Sequence, residues 1–383
     1  MAHHFQTIVV GAGSLGSAAA YWLTEKGQTD VLVLEQFTFA HGNGSHGDHS
    51  RIIRHSYHDN IYGRLTRAAY ENWRHLDHVS GQKVFVQTGG LDIAVAGSSG
   101  AANVETYRSV MAANGIAFDV LDNKQLTERF PQWDLGDDDI IATYQDESGL
   151  IDIRRATQTH LALAEGAGAT LRENTAVRSI ESVDGGARVV TDHDTFTADT
   201  VIVTTGSWAD ELLAPLGQTW KTTITEEQVL YVSSPHLKEF SVGTFPIWGW
   251  HGDYLHYGFP TYGEAAVKVA RENLRRVVTQ DTRSLTPHED ETEILMDFLR
   301  QRLPEAVGRV LYAKTCPYDL PPDRDFILDF LPGNPHVLVG NGAAHAGKFA
   351  GLIGEILADL AVGGATKYPI EPFRADRPAL RDP

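Results

Sequence analysis

The first 35 residues alternate between short apolar runs and turns. Residues 7–10 and 31–34 are continuous β-branched and leucine-rich runs, which are typical of strands buried on both faces of a parallel sheet. Between them, residues 14–26 combine small and apolar side chains in a pattern that favours a helix packed closely on that sheet, and Gly27 ends it. The pattern therefore predicts a compact strand–helix–strand unit over residues 7–35.

Beyond residue 60 the pattern changes several times. It predicts helices at residues 62–78, 102–114, 156–167, 291–303 and 348–360. Strand-like runs occupy residues 84–95, 176–180, 187–191, 200–203, 222–232, 248–268 and 337–339, with a further strand around Thr170. The alternation at 84–95 and the runs at 222–268 are typical of antiparallel strands, so a second sheet with its own helices is expected beside the N-terminal unit.

A glycine-rich turn joins the first predicted strand to the first predicted helix. Gly11, Gly13 and Gly16 form a G-x-G-x-x-G motif, and Ser14 opens the helix. In this context the glycines allow a tight turn, close approach of a pyrophosphate and close helix–strand packing. Glu35 ends the second strand, where an acid accepts hydrogen bonds from an unphosphorylated ribose, which favours NAD or FAD over NADP.

Two later segments bear on which dinucleotide is bound. Residues 200–206 form an apolar strand that ends at Gly206, and residues 337–342 form a strand that reaches Gly342 before a helix. Each is also typical of an ordinary strand followed by a turn, but together they suit an extended dinucleotide and favour FAD. The predicted fold is α/β: an FAD-binding, Rossmann-like domain of the glutathione-reductase type, interleaved with a substrate domain built on a mostly antiparallel sheet with helices. We expect residues 1–85, 150–220 and 310–383 in the first domain, and 86–149 and 221–309 in the second.

Composition narrows the class of protein. The 383 residues are enough for two domains. A net charge of −18, from 32 basic and 50 acidic residues, argues against nucleic acid as a partner, although it is equally consistent with a merely well-solvated surface. A single cysteine, Cys316, excludes an intrachain disulfide and favours the cytoplasm. No apolar run reaches the length of a signal-peptide core or a membrane span, and no histidine spacing suggests a metal site.

Four further segments carry a resemblance. They are Ser50-Arg-Ile-Ile-Arg-His-Ser-Tyr57, His256-Tyr-Gly-Phe-Pro260, Cys316 with residues 325–329, and residues 345–349. Together they resemble the monomeric sarcosine oxidase family of FAD-dependent amine oxidases, which includes N-methyltryptophan oxidase and is related to the fructosyl amino acid oxidases. The likeness spans essentially the whole chain.

The resemblance implies roles for individual residues. It implies a covalent bond from Cys316 to the flavin ring, activation of dioxygen by Lys268, a position near the flavin for Arg51, and a carboxylate site formed by Arg54 and Lys348. It also places His49 and Tyr257 at the catalytic centre and His345 beside the substrate. The residues implied to contact the cofactor are Gly11, Gly13, Ser14, Gly16, Glu35, Ser45, Arg51, Val177, Gly206, Cys316, Gly342 and Lys348.

The residues themselves leave some of these roles open. A lone cysteine is commonly an inert buried residue, and a lysine such as Lys268 commonly ends a strand at the surface. Arg51 and Arg54 would be separated by a strand and juxtaposed by a helix, and the pattern does not decide between the two. Glu272 replaces a family histidine, so the substrate should differ from sarcosine: this carboxylate would hold a polar or cationic substituent, unless it is simply solvated.

The reaction implied is oxidation of a secondary amine of an amino acid, with FAD as cofactor and dioxygen as acceptor, by a monomer that needs neither a metal nor a membrane. The expected products are an imine, which water splits into an amine and a carbonyl compound, and hydrogen peroxide. A fructosyl amino acid is the main alternative substrate. Two alternatives of another class are a dehydrogenase that passes electrons to a carrier and a flavin-binding redox sensor without turnover.

Overall fold

The computed structural model describes residues 3–272 and 274–381. Its α-helices, in chain order, are α1 (Ser14–Glu25), α2 (Asn60–Ser80), α3 (Ser99–Ala113), α4 (Asn123–Arg129), α5 (Ile153–Gly166), α6 (Ala209–Leu213), α7 (Glu289–Arg302) and α8 (Ala350–Gly363). Short 3₁₀ helices lie at Gly206–Trp208, Ala214–Leu216, Pro304–Ala306, Ala346–Phe349, Glu371–Phe373 and Pro378–Leu380. All six helices that the pattern predicts are present.

The strands follow the same order along the chain. They are β1 (His3–Val10), β2 (Val31–Leu34), β3 (Ser50–Ile53), β4 (Phe85–Gln87), β5 (Gly90–Val95), β6 (Asp119–Leu121), β7 (Ile140–Gln145), β8 (Gly149–Asp152), β9 (Thr170–Arg172), β10 (Val177–Val183), β11 (Gly186–Thr191), β12 (Thr195–Val203), β13 (Thr223–Val232), β14 (Ile247–His251), β15 (Leu255–Phe259), β16 (Val267–Arg271), β17 (Val277–Val278), β18 (Val310–Leu320), β19 (Ile327–Leu331) and β20 (Asn334–Asn341).

The first sheet is built around the N-terminal strand. β1 pairs in parallel with β2 on one side and with β12 on the other, and β12 in turn pairs in parallel with β20. β9 extends the sheet beyond β2. The other pairs are antiparallel: β11 pairs with β12, β10 pairs with β11, and β19 pairs with β20. Helices α5 and α8 pack against α1 on one face. The predicted strand–helix–strand unit is therefore confirmed, and it forms the centre of this sheet.

The second sheet is mostly antiparallel. Its strands run in the order β17-β13-β16-β15-β14-β5-β7-β6. β18 also belongs to this sheet, because it pairs with β13 along the whole length of that strand. A separate three-stranded sheet has the order β3-β8-β4. The residues predicted to alternate at 84–95 are thus divided, since β4 belongs to the small sheet and β5 to the large one.

The predicted α/β fold class, with parallel and antiparallel sheets, is confirmed. The predicted domain limits stay a proposal. The limit at residue 310 assigns β18 to the FAD-binding segments, but β18 pairs with β13 in the large antiparallel sheet. Among the described residues, no helix combines the length and apolar character needed to cross a bilayer, and no group of three or more histidine, cysteine or acidic side chains is arranged to hold a metal ion.

Candidate active site

A cavity of about 630 Å³ lies where the three sheets meet. Most residues singled out in the sequence line it: Gly11, Gly13, Ser14, Glu35, Ser45, Arg51, Arg54, Val177, Gly206, Tyr257, Lys268, Glu272, Cys316, Gly342, His345 and Lys348. Gly16 and His49 are not part of this lining. Residues far apart in the sequence are thus brought together around one space.

The glycine turn occupies one end of the cavity. Gly11 has φ +92°, and a Cβ atom there would lie 2.8 Å from the carbonyl oxygen of Thr204, so only glycine fits. A Cβ atom at Gly16 would lie 1.8 Å from the carbonyl oxygen of Gly11. Gly16 is therefore packed against the turn itself and does not line the cavity. Helix α1 begins at Ser14 without a side-chain cap, so its first amides are available to an anion.

Glu35 lies at the end of β2, beside this turn. Its side chain accepts hydrogen bonds from the backbone amides of Ala12 (2.9 Å) and Phe37 (3.0 Å), and the His41 ring lies 3.4 Å away. Burial would raise the pKa of this carboxyl, but the hydrogen bonds from His41 and from these amides outweigh burial and lower it. The carboxylate is therefore charged and fixed at the edge of the cavity, where it suits a ribose hydroxyl.

Several buried polar atoms of the lining have no hydrogen-bond partner among the described residues. They are Nε2 of His46 and the hydroxyl groups of Thr205 and Ser207, on either side of Gly206. Burial lowers the pKa of His46 to about 4, so its ring is neutral. Buried polar groups are normally satisfied, and the hydroxyl and phosphate groups of a dinucleotide would satisfy these. Together with the glycine turn and Glu35, they fit FAD.

Lys268 forms the centre of a buried charged cluster. Its Nζ atom lies 2.5 Å from Oδ2 of Asp48 and donates a 2.9 Å hydrogen bond to the carbonyl oxygen of Ser50, while Tyr231 donates a 2.7 Å hydrogen bond to Oδ1 of Asp48. Burial lowers the pKa of Lys268 to about 8, and the adjacent Asp48 opposes a larger shift. Burial alone would raise the pKa of Asp48, but the charges of Lys268 and Arg51 reverse this effect and lower it. Near neutral pH the pair is therefore ionised.

Arg51 and Cys316 both line the cavity near this cluster. Arg51 donates hydrogen bonds to the carbonyl oxygens of Ser50 (2.8 Å) and Ser45, and it lies 3.7 Å from Asp48. Cys316 is on β18, opposite Glu227 of β13. Burial raises the pKa of the Cys316 thiol, whereas the positive charge of Arg51 opposes that shift and favours the thiolate.

Two tyrosines complete the same region. The hydroxyl groups of Tyr257 and Tyr318 lie 3.2 Å apart, and both residues line the cavity. Burial raises the pKa of each phenol, so both are neutral and able to donate a hydrogen bond.

Arg54 follows the last residue of β3. The sequence left open whether a strand would separate Arg51 from Arg54; the strand ends at Ile53, so the alternation stops there and both side chains reach the cavity. One guanidinium nitrogen of Arg54 lies 2.5 Å from Oδ1 of Asp92, which also accepts a hydrogen bond from His251, while Ser56 donates a hydrogen bond to Oδ2. Burial would raise the pKa of Asp92, but Arg54 and His251 hold it at about 2.

Lys348 also lines the cavity, from the 3₁₀ helix before α8. Its Nζ atom donates hydrogen bonds to the Tyr57 hydroxyl (3.0 Å) and to the carbonyl oxygen of His345 (3.2 Å), but it forms no ion pair with any described carboxylate. Burial and the nearby charge of Arg54 lower the pKa of Lys348 to about 7, and Glu272 opposes the shift. A bound carboxylate would restore its full positive charge. The affinity for a carboxylate should therefore fall as the pH rises above about 7.

His345 is part of this arrangement as a neutral ring. It is stacked on Phe326 with the ring centroids 4.7 Å apart, and its Nδ1 atom lies 3.2 Å from the Tyr57 hydroxyl. Burial and the Lys348 charge lower its pKa to about 3. His345 therefore positions Tyr57 and Lys348 and adds no charge.

His49 is the predicted catalytic residue that the structure does not bring to the cavity. Its Nε2 atom lies 3.3 Å from Glu264, outside the lining, whereas its neighbour Asp48 contacts Lys268. Sequence reasoning also gave no role to Asp48, Tyr57, Asp92 or Tyr107, which contact the charged groups of the site. The available signal for Asp92 was an acid in the middle of an otherwise apolar strand, a position that normally requires a buried partner.

Comparison with known proteins identifies the family. A family model described as FAD dependent oxidoreductase matches residues 6–360. The chain belongs to this family. The oxidoreductase is 30% identical to a monomeric sarcosine oxidase of Bacillus sp. (strain NS-129), over 100% of this chain and 99% of the relative. It is 31% identical to an N-methyl-L-tryptophan oxidase of Yersinia pestis (strain Pestoides F), over 97% and 99% of the two chains. The family resemblance and the choice of FAD are thereby confirmed.

Solved structures support the same fold. The crystal structure of NikD, described as an unusual amino acid oxidase essential for nikkomycin biosynthesis, superimposes with a TM-score of 0.87 at 26% identity. The superposition covers 97% of each chain. This oxidoreductase therefore shares its overall architecture with an amino acid oxidase.

Proposed function

We propose that this oxidoreductase oxidises the secondary amine of an N-substituted amino acid and passes the electrons to dioxygen. The observation that carries the proposal is Lys348, a cation without a carboxylate partner among the described residues, which faces the same cavity as Arg54. Two cations that line one cavity, with the charge of Arg54 acting on Lys348, suit one carboxylate. The names of the relatives, sarcosine oxidase and N-methyl-L-tryptophan oxidase, support an N-methylated amino acid as the owner of that carboxylate.

The residues of the chain position the substrate and set the electrostatics. FAD, when bound, supplies the acceptor for the two electrons and the hydrogen of the substrate C–H bond. Arg54 and Lys348 would hold the carboxylate, which fixes the α-carbon and the amine relative to the rest of the cavity. The neutral phenols of Tyr57 and Tyr257 offer hydrogen bonds without adding charge. Water then splits the imine into an amine and a carbonyl compound.

Lys268 is the residue proposed to assist dioxygen. It holds a positive charge at a buried position, fixed by Asp48 and Ser50. Reduction of neutral oxygen creates negative charge, and a preorganised cation in a site of low polarity stabilises it effectively. The product of this step is hydrogen peroxide. We also propose that the protein is a monomer and that it acts in the cytoplasm.

The proposal predicts which amines remove the yellow colour of the bound flavin. Under anaerobic conditions, N-methyl amino acids should bleach the absorbance of the holoenzyme, and admission of air should restore it with release of hydrogen peroxide. Primary amino acids of the same side chain serve as controls and should react at least about tenfold more slowly, because the secondary amine is the reacting group.

Other outcomes separate the alternatives. Bleaching by fructosyl-valine but by no N-methyl amino acid would identify a deglycating oxidase. Bleaching that air does not reverse would indicate a dehydrogenase. A colour that no amine removes would contradict the proposal and favour a redox sensor.

We also propose that Cys316 carries the flavin covalently, because its thiol lines the cavity beside the positive charge of Arg51. Acid precipitation of the holoenzyme should leave the yellow colour in the pellet, and the intact mass of the denatured chain should exceed the sequence mass by that of FAD. Cys316→Ser should release the colour to the supernatant. Release of FAD from the parent protein, at the unmodified mass, would contradict covalent attachment.

A further inference from the structure

We infer that the natural substrate carries a cation besides its reacting amine, an ammonium or guanidinium group on its side chain or N-substituent, which is bound by Glu272. This inference rests on the proposed function, because it assumes that Arg54 and Lys348 hold the substrate carboxylate. It adds the chemical class of the substrate: an N-substituted amino acid that bears a positive charge in addition to its reacting amine.

Glu272 is held at the cavity wall by its backbone. Its amide donates a 2.9 Å hydrogen bond to the carbonyl oxygen of Leu255, directly after strand β16 ends at Arg271. Lys268 and Glu272 are four residues apart on this extended segment, so their side chains leave the same face. Both line the cavity, at Cα positions about 13 Å apart along the strand direction. This length accommodates a substrate that extends away from Lys268.

The carboxylate of Glu272 is available to a ligand. It forms no hydrogen bond or ion pair with any side chain in residues 3–272 and 274–381, and it is only partly exposed. Its charge nevertheless acts on Lys348, Tyr57 and Tyr107, so it faces the carboxylate-binding cations. Leu255 and Tyr107 lie beside it in the lining. These apolar surfaces exclude water and strengthen an attraction between opposite charges.

The charges of this part of the cavity do not balance with a simple amino acid bound. Arg54 and protonated Lys348 supply two positive charges, whereas Asp92 and Glu272 supply two negative ones. The substrate carboxylate adds a third negative charge, and the reacting amine must be neutral. The positive charges of Lys268 and Arg51 lie around Asp48, and Lys268 is four residues from Glu272 along the chain, so at Glu272 itself one negative charge has no positive partner among the described residues. Arg324 and His58 also reach the lining, but both are exposed at its rim, where solvent screens their charge.

A cation on the substrate restores neutrality, and a neutral sugar does not. A fructosyl group would offer hydroxyl groups to Glu272 but leave the excess negative charge in place. A hydrogen-bonded pair between an ammonium group and a partly buried carboxylate is stronger than a bond between neutral groups. The charge balance thus favours a basic substituent.

The test uses binding of simple acids that lack the secondary amine on which the proposed reaction acts. The probes are 4-aminobutanoate, 5-aminopentanoate and 6-aminohexanoate, each compared with the unsubstituted acid of the same chain length. Dissociation constants come from the change in flavin absorbance of the anaerobic holoenzyme. For the best-fitting length, the amino acid should bind at least about tenfold more tightly than its neutral counterpart, the size expected for one charge-assisted contact.

Variants of Glu272 show whether this residue causes the preference for the charged acid. Glu272→Gln should reduce it to less than about threefold, and Glu272→Lys should reverse it. Because the charge of Glu272 also acts on Lys348, each amino acid is compared with its neutral counterpart in the same variant, so that a change at the carboxylate site cancels from the ratio. Glu293→Gln is the matched control, since it removes the same charge from an exposed position on α7, and it should keep the preference.

Equal binding of charged and neutral acids by the parent protein would overturn the inference. A preference that persists in Glu272→Gln would overturn it as well. The proposed function is contradicted by a different result, namely that no N-substituted amino acid, basic or neutral, bleaches the flavin. The two failures are therefore distinguishable within one set of measurements.

Discussion

Replacing Lys268 with methionine is expected to slow the return of the flavin colour in oxygenated buffer by about 100-fold or more, the loss typical of removing one preorganised group that stabilises developing charge. Bleaching of the colour by the amine should change by less than about tenfold, because Arg54 and Lys348 remain. Stopped-flow absorbance measures both rates separately on the same holoenzyme. Methionine preserves most of the lysine volume, so the change removes charge with little change in packing.

The ion pair with Asp48 requires a control for this experiment. Lys268 is buried, and its loss leaves the Asp48 carboxylate with Tyr231 and with Arg51 at 3.7 Å. An uncompensated buried charge destabilises a protein by several kcal/mol. The double variant Lys268→Met/Asp48→Asn removes both charges and should recover part of the lost thermal stability. It should remain as slow with oxygen as the single variant.

The oxygen reaction of these variants decides the role of Lys268. If reoxidation of Lys268→Met stays within threefold of the parent rate, the lysine does not assist oxygen. A parent protein that itself reoxidises slowly in air would support the dehydrogenase alternative. Full recovery of the oxygen rate in the double variant would assign the defect to the stranded Asp48 charge and not to the missing cation.

The features that the sequence predicted well depend on short stretches of chain. β2 has the predicted bounds, and α1 ends one residue before the predicted end at Lys26. The glycine turn was also predictable, because Gly11 and Gly16 fulfil their roles through contacts within or next to the same unit. Local residue spacing is sufficient to specify such a feature.

Strand β18 shows why other parts were missed. Its residues Tyr312, Lys314, Cys316 and Tyr318 pair in register with alternate residues of β13, and the last three of them line the cavity. A cavity-facing side that is polar weakens the apolar alternation by which strands are recognised. Pro317 weakens it further, although proline is tolerated there because β18 pairs on one side only.

The charged partners could not be predicted for a different reason. Asp48 and Asp92 acquire their roles from Lys268 and Arg54, which belong to other segments of the chain and lie far away in the sequence. Such pairs are set by tertiary structure alone. The neighbouring residues Asp48 and His49 are an example. Asp48 contacts Lys268 in the cavity, whereas His49 contacts Glu264 outside it. A family likeness does not reveal which of two adjacent side chains turns inward.

Arg54 is the residue whose replacement should most affect substrate binding. Arg54→Met is expected to weaken binding of carboxylate ligands by about 100-fold, since the loss of one partner of a buried, hydrogen-bonded charge pair costs about 2–5 kcal/mol. Arg54→Lys should recover only part of this affinity, because an ammonium group lacks the planar fork that contacts Asp92 and a ligand carboxylate together. The measurement is the dissociation constant of butanoate, followed by flavin absorbance.

Asp92 complicates the interpretation and also provides the control. In Arg54→Met the Asp92 carboxylate stays buried with only Ser56 and His251 as partners, so its pKa should rise and the protein should lose thermal stability. Arg54→Met/Asp92→Asn should restore stability without restoring affinity, because the cation that binds the ligand is still absent. Recovery of butanoate binding in the double variant would show that Arg54 acts by neutralising Asp92. In that case Lys348 alone would hold the substrate carboxylate, and the charge balance that calls for a cationic substrate would have to be redrawn.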